Sequence, residues 1–137
     1  MNYWLVKSEP SVWSWDQQVA KGAAGEPWTG VRNHSAKLNL MKMKKGDRAF
    51  FYHSNEGKEI VGIAEVIREH YPDPTDKSGK FVCVDIKAVK PLKVPVTLDA
   101  IKADRKLAEM ELVKLSRLSV QSVKPEEWKL ICKMGGI

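Results

Sequence analysis

The chain has 137 residues, of which 23 are Lys or Arg and 17 are Asp or Glu, for a formal net charge of +6. At this length one domain over residues 1–137 with its own core is expected, and no apolar run is long enough to span a bilayer. A hydrophobic content of 43% and a charged content of 29% exclude a disordered or fibrous chain, and the positive balance fits a nucleic-acid partner without demanding one.

Residues 2–8 read as a first strand, ended by Pro10. Ser14 with Gln17 three residues on has the pattern of a capping box and predicts a helix to about Lys21. Gly22 and Gly25 bracket a loop. After Asn33, the apolar residues Ala36, Leu40 and Met43 recur at helical spacing, with Leu38 and Met41 beside them. Lys42, Lys44 and Lys45 suit the negative end of that helix, and Gly46 stops it.

Residues 48–52 and 59–70 read as two strands joined by the turn His53-Ser54-Asn55-Glu56-Gly57-Lys58. Strict alternation places Ile60, Gly62, Ala64 and Val66 on one face of the longer strand, and Val61, Ile63 and Ile67 on the other. A strand apolar on both faces belongs inside a barrel or beneath a helix, and Gly62 and Ala64 are small, as a narrow barrel interior requires. Glu65 interrupts the second face, so if buried it must meet a hydrogen-bond donor or a cation.

Tyr71-Pro72-Asp73-Pro74-Thr75-Asp76 is a rigid loop, followed by the flexible Lys77-Ser78-Gly79. Residues 81–90 form the clearest alternating strand, with Val82, Val84, Ile86 and Ala88 facing inward. Thr97 can cap a short helix to Lys102, residues 107–112 suggest another, and residues 118–123 a last strand. Pro125-Glu126-Glu127 opens a final helix with Trp128, Ile131 and Cys132 as its buried stripe, ended by Gly135. The predicted fold class is α+β: a mixed, partly closed β-barrel of about five or six strands surrounded by short helices.

Cys83 and Cys132 match no zinc or redox spacing, and reduced thiols fit a cytoplasmic location. His34, His53 and His70 lack metal-ligand spacing, so neither a metal nor a cofactor is expected.

Four of the five tryptophans, Trp4, Trp13, Trp15 and Trp28, fall in the first 28 residues. Trp4 and Trp15 suit a core. Trp28 leads into the polar and basic run Thr29-Gly30-Val31-Arg32-Asn33, which suits a loop. Two further polar groups stand at strand ends, Lys7-Ser8-Glu9 and Tyr52-His53-Ser54-Asn55. A barrel mouth would gather all three into an aromatic platform with hydrogen-bonding side chains and cations, the inventory of a nucleobase pocket.

These stretches carry a family resemblance. Asn2-Tyr3-Trp4-Leu5-Val6-Lys7-Ser8-Glu9-Pro10, Trp28-Thr29-Gly30-Val31-Arg32-Asn33 and Phe50-Phe51-Tyr52-His53-Ser54-Asn55 resemble the EVE domain. So do Ile60-Val61-Gly62-Ile63-Ala64-Glu65-Val66, Tyr71-Pro72-Asp73-Pro74-Thr75 and Ser116-Arg117-Leu118-Ser119-Val120-Gln121, and together they cover essentially the whole chain. The resemblance implies the PUA-like fold, kin to the YTH readers of methylated adenine, and recognition of a modified base, with modified cytosine in DNA the usual suggestion. Its implied pocket takes in Lys7-Ser8-Glu9, the Trp28 motif, Tyr52-His53-Ser54 and Ser116-Arg117-Leu118-Ser119. The chain departs from the family pattern at His34, Lys37 and Lys124, the last removing the usual Ser or Thr cap of the final helix. Without a long basic N-terminal extension it resembles the free-standing bacterial members.

The expected activity is binding without catalysis, by a monomer. A modified base in DNA, or in RNA, leaves its stack and stacks on Trp28, with Tyr52 or Trp13 as the second wall. Ser8, Asn33 and Ser54 read its polar edge, and His53, Leu118 and Ser119 complete the pocket. Lys7, Arg32 and Arg117 hold phosphate. The alternative is a small hydrolase of modified nucleobases in which Lys7 activates Ser8 and Glu9 or Glu65 serves as acid or base.

Overall fold

In the computed structural model, which describes residues 1–137, six strands share one mixed sheet. They are β1 (Tyr3–Ser8), β2 (Glu26–Pro27), β3 (Arg48–His53), β4 (Glu59–Pro72), β5 (Val82–Thr97) and β6 (Val120–Val123), in the spatial order β2-β5-β4-β3-β1-β6. β1 runs parallel to β3, and every other pairing is antiparallel. The five short helices are α1 (Trp15–Ala20), α2 (His34–Lys42), α3 (Leu98–Ala103), α4 (Glu111–Lys114) and α5 (Pro125–Met134). The sheet curls without closing: β2 and β6 are its two edges and do not pair with each other. The α+β reading with a partly closed barrel is therefore the observed architecture.

Local signals place the helices. Ser14 accepts from Gln17 N–H while Gln17 returns to Ser14 N–H, so the predicted capping box forms at α1. The Asn33 side chain accepts from Ala36 N–H at 2.9 Å and caps α2, and Thr97 caps α3 in the same way. α2 packs through Ala36 and Leu40, with Met43 just beyond its end, and leaves Leu38 and Met41 exposed. Asn39 Nδ2 donates to Val120 O at 2.7 Å, so α2 is tied to the β6 edge and covers part of the gap in the barrel. α5 lacks a side-chain cap at Lys124, but Glu127 accepts the Lys124 N–H at 2.9 Å.

Two hydrophobic clusters lie on opposite faces of the sheet. One gathers Trp4, Val6, Trp15, Trp28, Phe51, Ala64, Val66, Val84 and Ile86 with the buried face of α2. The other gathers Leu5, Phe50, Tyr52, Ile60, Ile63, Val96 and the apolar residues of α3 and α5. In it, Trp128 stacks on Phe50 at 3.9 Å and on Tyr3 at 4.4 Å between ring centroids. Each large side chain so buried contributes about 1.5–3 kcal/mol.

Several expectations need correction. A bulge between Ile60 and Gly62 inserts one residue against Phe51 and Tyr52 of β3. It sends Ile60 to the second cluster, while Gly62, Ala64 and Val66 stay with the first, so the four do not share a face. Gly62 is required for a different reason than barrel width: a Cβ there would collide with the Trp15 indole. β5 does not stop at Lys90. It continues through Pro91 and Pro95, both exposed, to pair Val96 with Ile60 and Thr97 with Glu59. The ladder slips between Ile60, opposite Val96, and Gly62, opposite Pro91; Pro95 falls in that slip, where Lys93 and Val94 donate their N–H groups to Gly135 O instead. Residues 107–112 are not one helix. A 3₁₀ turn at Arg105–Leu107, capped by Asp104, precedes the separate α4. The last strand starts at Val120, two residues later than expected, and β2 at Glu26–Pro27 is a short strand that no sequence pattern marks.

Candidate functional site

A cleft of about 600 Å³ occupies the opening between the sheet edges. The C-terminal end of β1 gives it Lys7 and Ser8, the following loop gives Glu9, Val12 and Trp13, and Ser119 enters from just ahead of β6. Opposite them stand Glu26 and Pro27 of β2 and the whole run from Trp28 to Asn33. The cleft exists because the barrel is left open: these segments are the ends of elements whose neighbours do not pair.

Trp28 is both wall and core. It is only 8% exposed and meets Phe51 edge-to-face at 5.5 Å, yet it lines the cleft. Its backbone N–H donates to Val84 O at 2.7 Å, which fixes the start of the loop. Trp13 is half-buried, and its indole Nε1 donates to Gln18 Oε1 at 2.9 Å. Gln18 is fully buried and its own Nε2 donates to Ile86 O at 3.1 Å, so the orientation of Trp13 is referred to the frame of β5. Two indoles with fixed orientations thus border one cavity.

The loop from Thr29 to Arg32 is held from below by Asp73 of the Pro72-Asp73-Pro74 motif. Asp73 is 2% exposed. One carboxylate oxygen accepts from Gly30 N–H at 2.9 Å and from Arg32 Nη1 at 3.1 Å, and the other from the Thr75 N–H and hydroxyl. Burial alone would raise the Asp73 pKa, but these donors outweigh it and hold the carboxyl below its ordinary value. Gly30 sits at φ +87°, the left-handed region open to glycine, which lets its N–H turn toward Asp73. Arg32 also donates from Nη2 to Thr75 Oγ1 at 3.0 Å, so much of its charge is balanced locally.

Of the residues singled out in the sequence, Ser8, Trp13, Trp28, Asn33 and Ser119 line the cleft with Lys7 and Arg32. Their chemistry is already partly committed. Ser8 Oγ donates to Trp13 O at 2.6 Å, and Lys7 Nζ donates to Ser116 O at 2.7 Å. Burial pushes the Lys7 ammonium down from its ordinary value. The Asn33 oxygen caps α2, which leaves its NH₂ as the group free to face a ligand.

Tyr52, His53, Ser54, Leu118 and Arg117 do not line the cleft. Tyr52 is 3% exposed in the opposite cluster, because it alternates with Phe51 along β3. It does not reach the cleft, whereas Trp13 lines it. The His53 Nε2 accepts the Trp15 N–H at 3.0 Å and so anchors the first turn of α1. Burial lowers the His53 pKa against the opposing pull of Glu59 and Asp16, which favours the neutral ring that this acceptor role needs. The Ser54 backbone N–H donates to Ser8 O, and Leu118 packs on the first cluster. Arg117 is exposed.

Glu65 meets its expectation of a cation partner, with Arg48 at 3.5 Å and Lys87 at 3.9 Å, and lies away from the cleft. Sequence reasoning missed Gln18 and Asp73. Both act across more than 40 residues of sequence, on β5 and on the Trp28 loop, where no local pattern can signal them.

Comparison with known proteins places this geometry. A solved structure of a protein from Rhodopseudomonas palustris is 79% identical and superposes with a TM-score of 0.94, over 99% of this chain and 94% of that one. The human THYN1 protein, solved in complex with 5-methylcytosine containing DNA, is 30% identical with a TM-score of 0.91, covering 100% of this chain and 99% of that one. The rat protein thymocyte nuclear protein 1 (Rattus norvegicus) is 33% identical over 97% of this chain and 73% of its own length. The YTH domain of a Zygosaccharomyces rouxii protein shares the fold alone, at 18% identity and a TM-score of 0.60 over 99% of this chain and 85% of that one. The EVE domain model matches residues 2–134, and the chain belongs to the EVE domain family.

Proposed function

We propose that the cleft is a reader site for a single modified base in nucleic acid, with modified cytosine in DNA the first candidate. The carrying observation is the pair of fixed indoles, Trp28 and Trp13, on one cavity with Ser8, Asn33 and Ser119 at its polar margin. The relative crystallised with 5-methylcytosine containing DNA supports the choice of base. A base turned out of its stack would place its flat face on Trp28, worth about 1–3 kcal/mol, and its polar edge toward the Asn33 NH₂ and the serines. A methyl group adds about 0.8 kcal/mol when fully buried, so discrimination depends on a close apolar fit as well as on contact.

The hydrogen bonding in the cleft supports binding over turnover. Ser8 gives its proton to the Trp13 carbonyl oxygen rather than to Glu9, the candidate base that also lines the cleft, while the Lys7 amine donates to Ser116 O. Glu65, the other candidate acid, is engaged by Arg48 and Lys87 outside the cleft. The Ser8 hydroxyl thus points its proton at backbone and not at a carboxylate, which favours the binding reading. The reading needs neither metal nor cofactor.

Titration of matched oligonucleotides that differ only in 5-methylation of one cytosine tests the proposal. Tighter binding of the methylated strand is expected, falling with salt at a slope of about −0.7 per phosphate contact on a single strand. Equal binding of both strands, or binding indifferent to salt, overturns it.

A further inference from the structure

We infer that Phe81 and the cations around it form a ledge for the nucleotide next to the one in the cleft, an extension that rests on the base-reading role proposed above. Phe81 immediately precedes β5 and is half-buried. Its backbone is fixed on both sides: its N–H donates to Asp76 Oδ2 at 2.8 Å, and its carbonyl accepts the Asp73 N–H at 3.0 Å. The backbone that carries the ring is therefore held in place before any base is laid on it.

Two cations attend that ring. The Arg32 guanidinium carbon lies 5.6 Å from its centroid and Lys37 Nζ 5.8 Å. Arg32 also lines the cleft, so ledge and cleft share a residue and are continuous. Lys37 makes no ion pair, nor do Lys77 and Lys80 on the loop that carries the ring. The nearby carboxylates are occupied. Asp73 holds the Trp28 loop, and Asp76 accepts from the N–H groups of Ser78, Lys80 and Phe81. The donors on Asp76, led by the Ser78 hydroxyl, hold its carboxyl down to about 2, so the loop keeps this form at neutral pH. An aromatic ring with unpaired amines beside it, continuous with a base-sized cleft, fits a stacked base and its phosphate. Lys37 can move to a phosphate without breaking a salt bridge.

The test uses two single strands that carry one 5-methylcytosine, identical except that one has abasic sites on both sides of it. The wild-type chain should bind the intact strand about 5- to 150-fold tighter than the abasic-flanked one, the loss of one stacked base. Phe81→Ala should abolish that difference while binding the abasic-flanked strand as wild type does, and Phe81→Trp should restore it. Lys37→Gln should reduce the salt slope by about 0.7. A Phe81→Ala variant that weakens both strands equally, or neither, overturns the ledge. If Phe81→Ala does not fold, an unchanged salt slope in Lys37→Gln overturns it alone. A wild-type chain that ignores the methyl group sinks the base-reading role and the ledge together. One that reads the methyl group but shows no flank effect sinks only the ledge.

Discussion

The two faces of the sheet are packed with equal care and end differently. The cluster of Phe50, Ile60 and Trp128 is roofed by α3 and α5, and its aromatic rings stack on one another. The cluster of Trp4, Trp15, Trp28 and Phe51 is roofed by α1 and α2 only in part, because β2 and β6 do not meet, and at that opening its outermost indole becomes a cavity wall. The cleft is a core left unfinished at one end. The difference has a structural consequence: on the sealed face a large aromatic packs the core alone, whereas at the open end Trp28 both packs the core and lines the cleft.

The comparison breaks most visibly with paired truncations. Phe50→Ala should cost about 3–5 kcal/mol, as for a fully buried Phe, and alter ligand affinity only through the population that remains folded. Trp28→Ala should also lower the melting temperature, since its indole is 8% exposed and packs on Phe51, and a loop position alone would not predict that. In addition it should lose about 1–3 kcal/mol of binding in the fraction that stays folded. Trp28→Phe should recover most of the stability and less of the binding. Thermal melting with oligonucleotide titration separates the two effects; if the Phe50 and Trp28 variants differ in neither readout, the two faces are equivalent and the open-end account is wrong.

Asp73→Asn addresses the open end through its support. The substitution places an NH₂ where an oxygen accepted from Gly30 and Arg32 or from Thr75, and a buried donor or acceptor left unpaired costs about 1–3 kcal/mol. If the Trp28 loop is then ordered in only one molecule in ten, apparent affinity falls about tenfold. Acid should mimic the substitution. Because the folded-state pKa of Asp73 is lowered, its stabilisation is complete above the unfolded Asp value of about 3.9 and is lost as the pH falls through the folded value. Equilibrium denaturation at acid pH should show wild type losing stability over that window and Asp73→Asn losing less of it. Parallel curves would mean that Asp73 contributes nothing by its charge.

Much of this was legible in the chain, and the failures share a cause. The alternation of Val82, Val84, Ile86 and Ala88 is local, and those residues do pack together on one face. The caps at Ser14 and Thr97 act within three residues and were readable for the same reason. The bulge after Ile60 was not readable, because it is fixed by pairing with β3 and changes no local composition. The place of Tyr52 beside His53 and Ser54 at a strand end suggests the cleft, while the pleat of β3 sends Phe51 one way and Tyr52 the other. The role of Asp73 depends on Gly30, 43 residues away. Motif position indicated that the Tyr71–Thr75 segment matters, but not what it touches.

Glu65 gives the smallest expected effect and the sharpest contrast with Asp73. Both are carboxylates in an apolar setting beside an Arg. Asp73 is sealed and saturated with donors, whereas the Glu65 side chain is 24% exposed and its partners, Arg48 at 3.5 Å and Lys87 at 3.9 Å, are themselves partly in water. Solvent screens such pairs to about 0–1 kcal/mol, and salt screens them further. Glu65→Gln should therefore move the denaturation midpoint little, and that small shift should vanish at high salt, while Asp73→Asn keeps its cost there. Because Glu65 lies outside the cleft, its variant should bind oligonucleotides as wild type does. A loss of binding in Glu65→Gln with the fold intact would return this carboxylate to the functional site and reopen the case for an acid–base role.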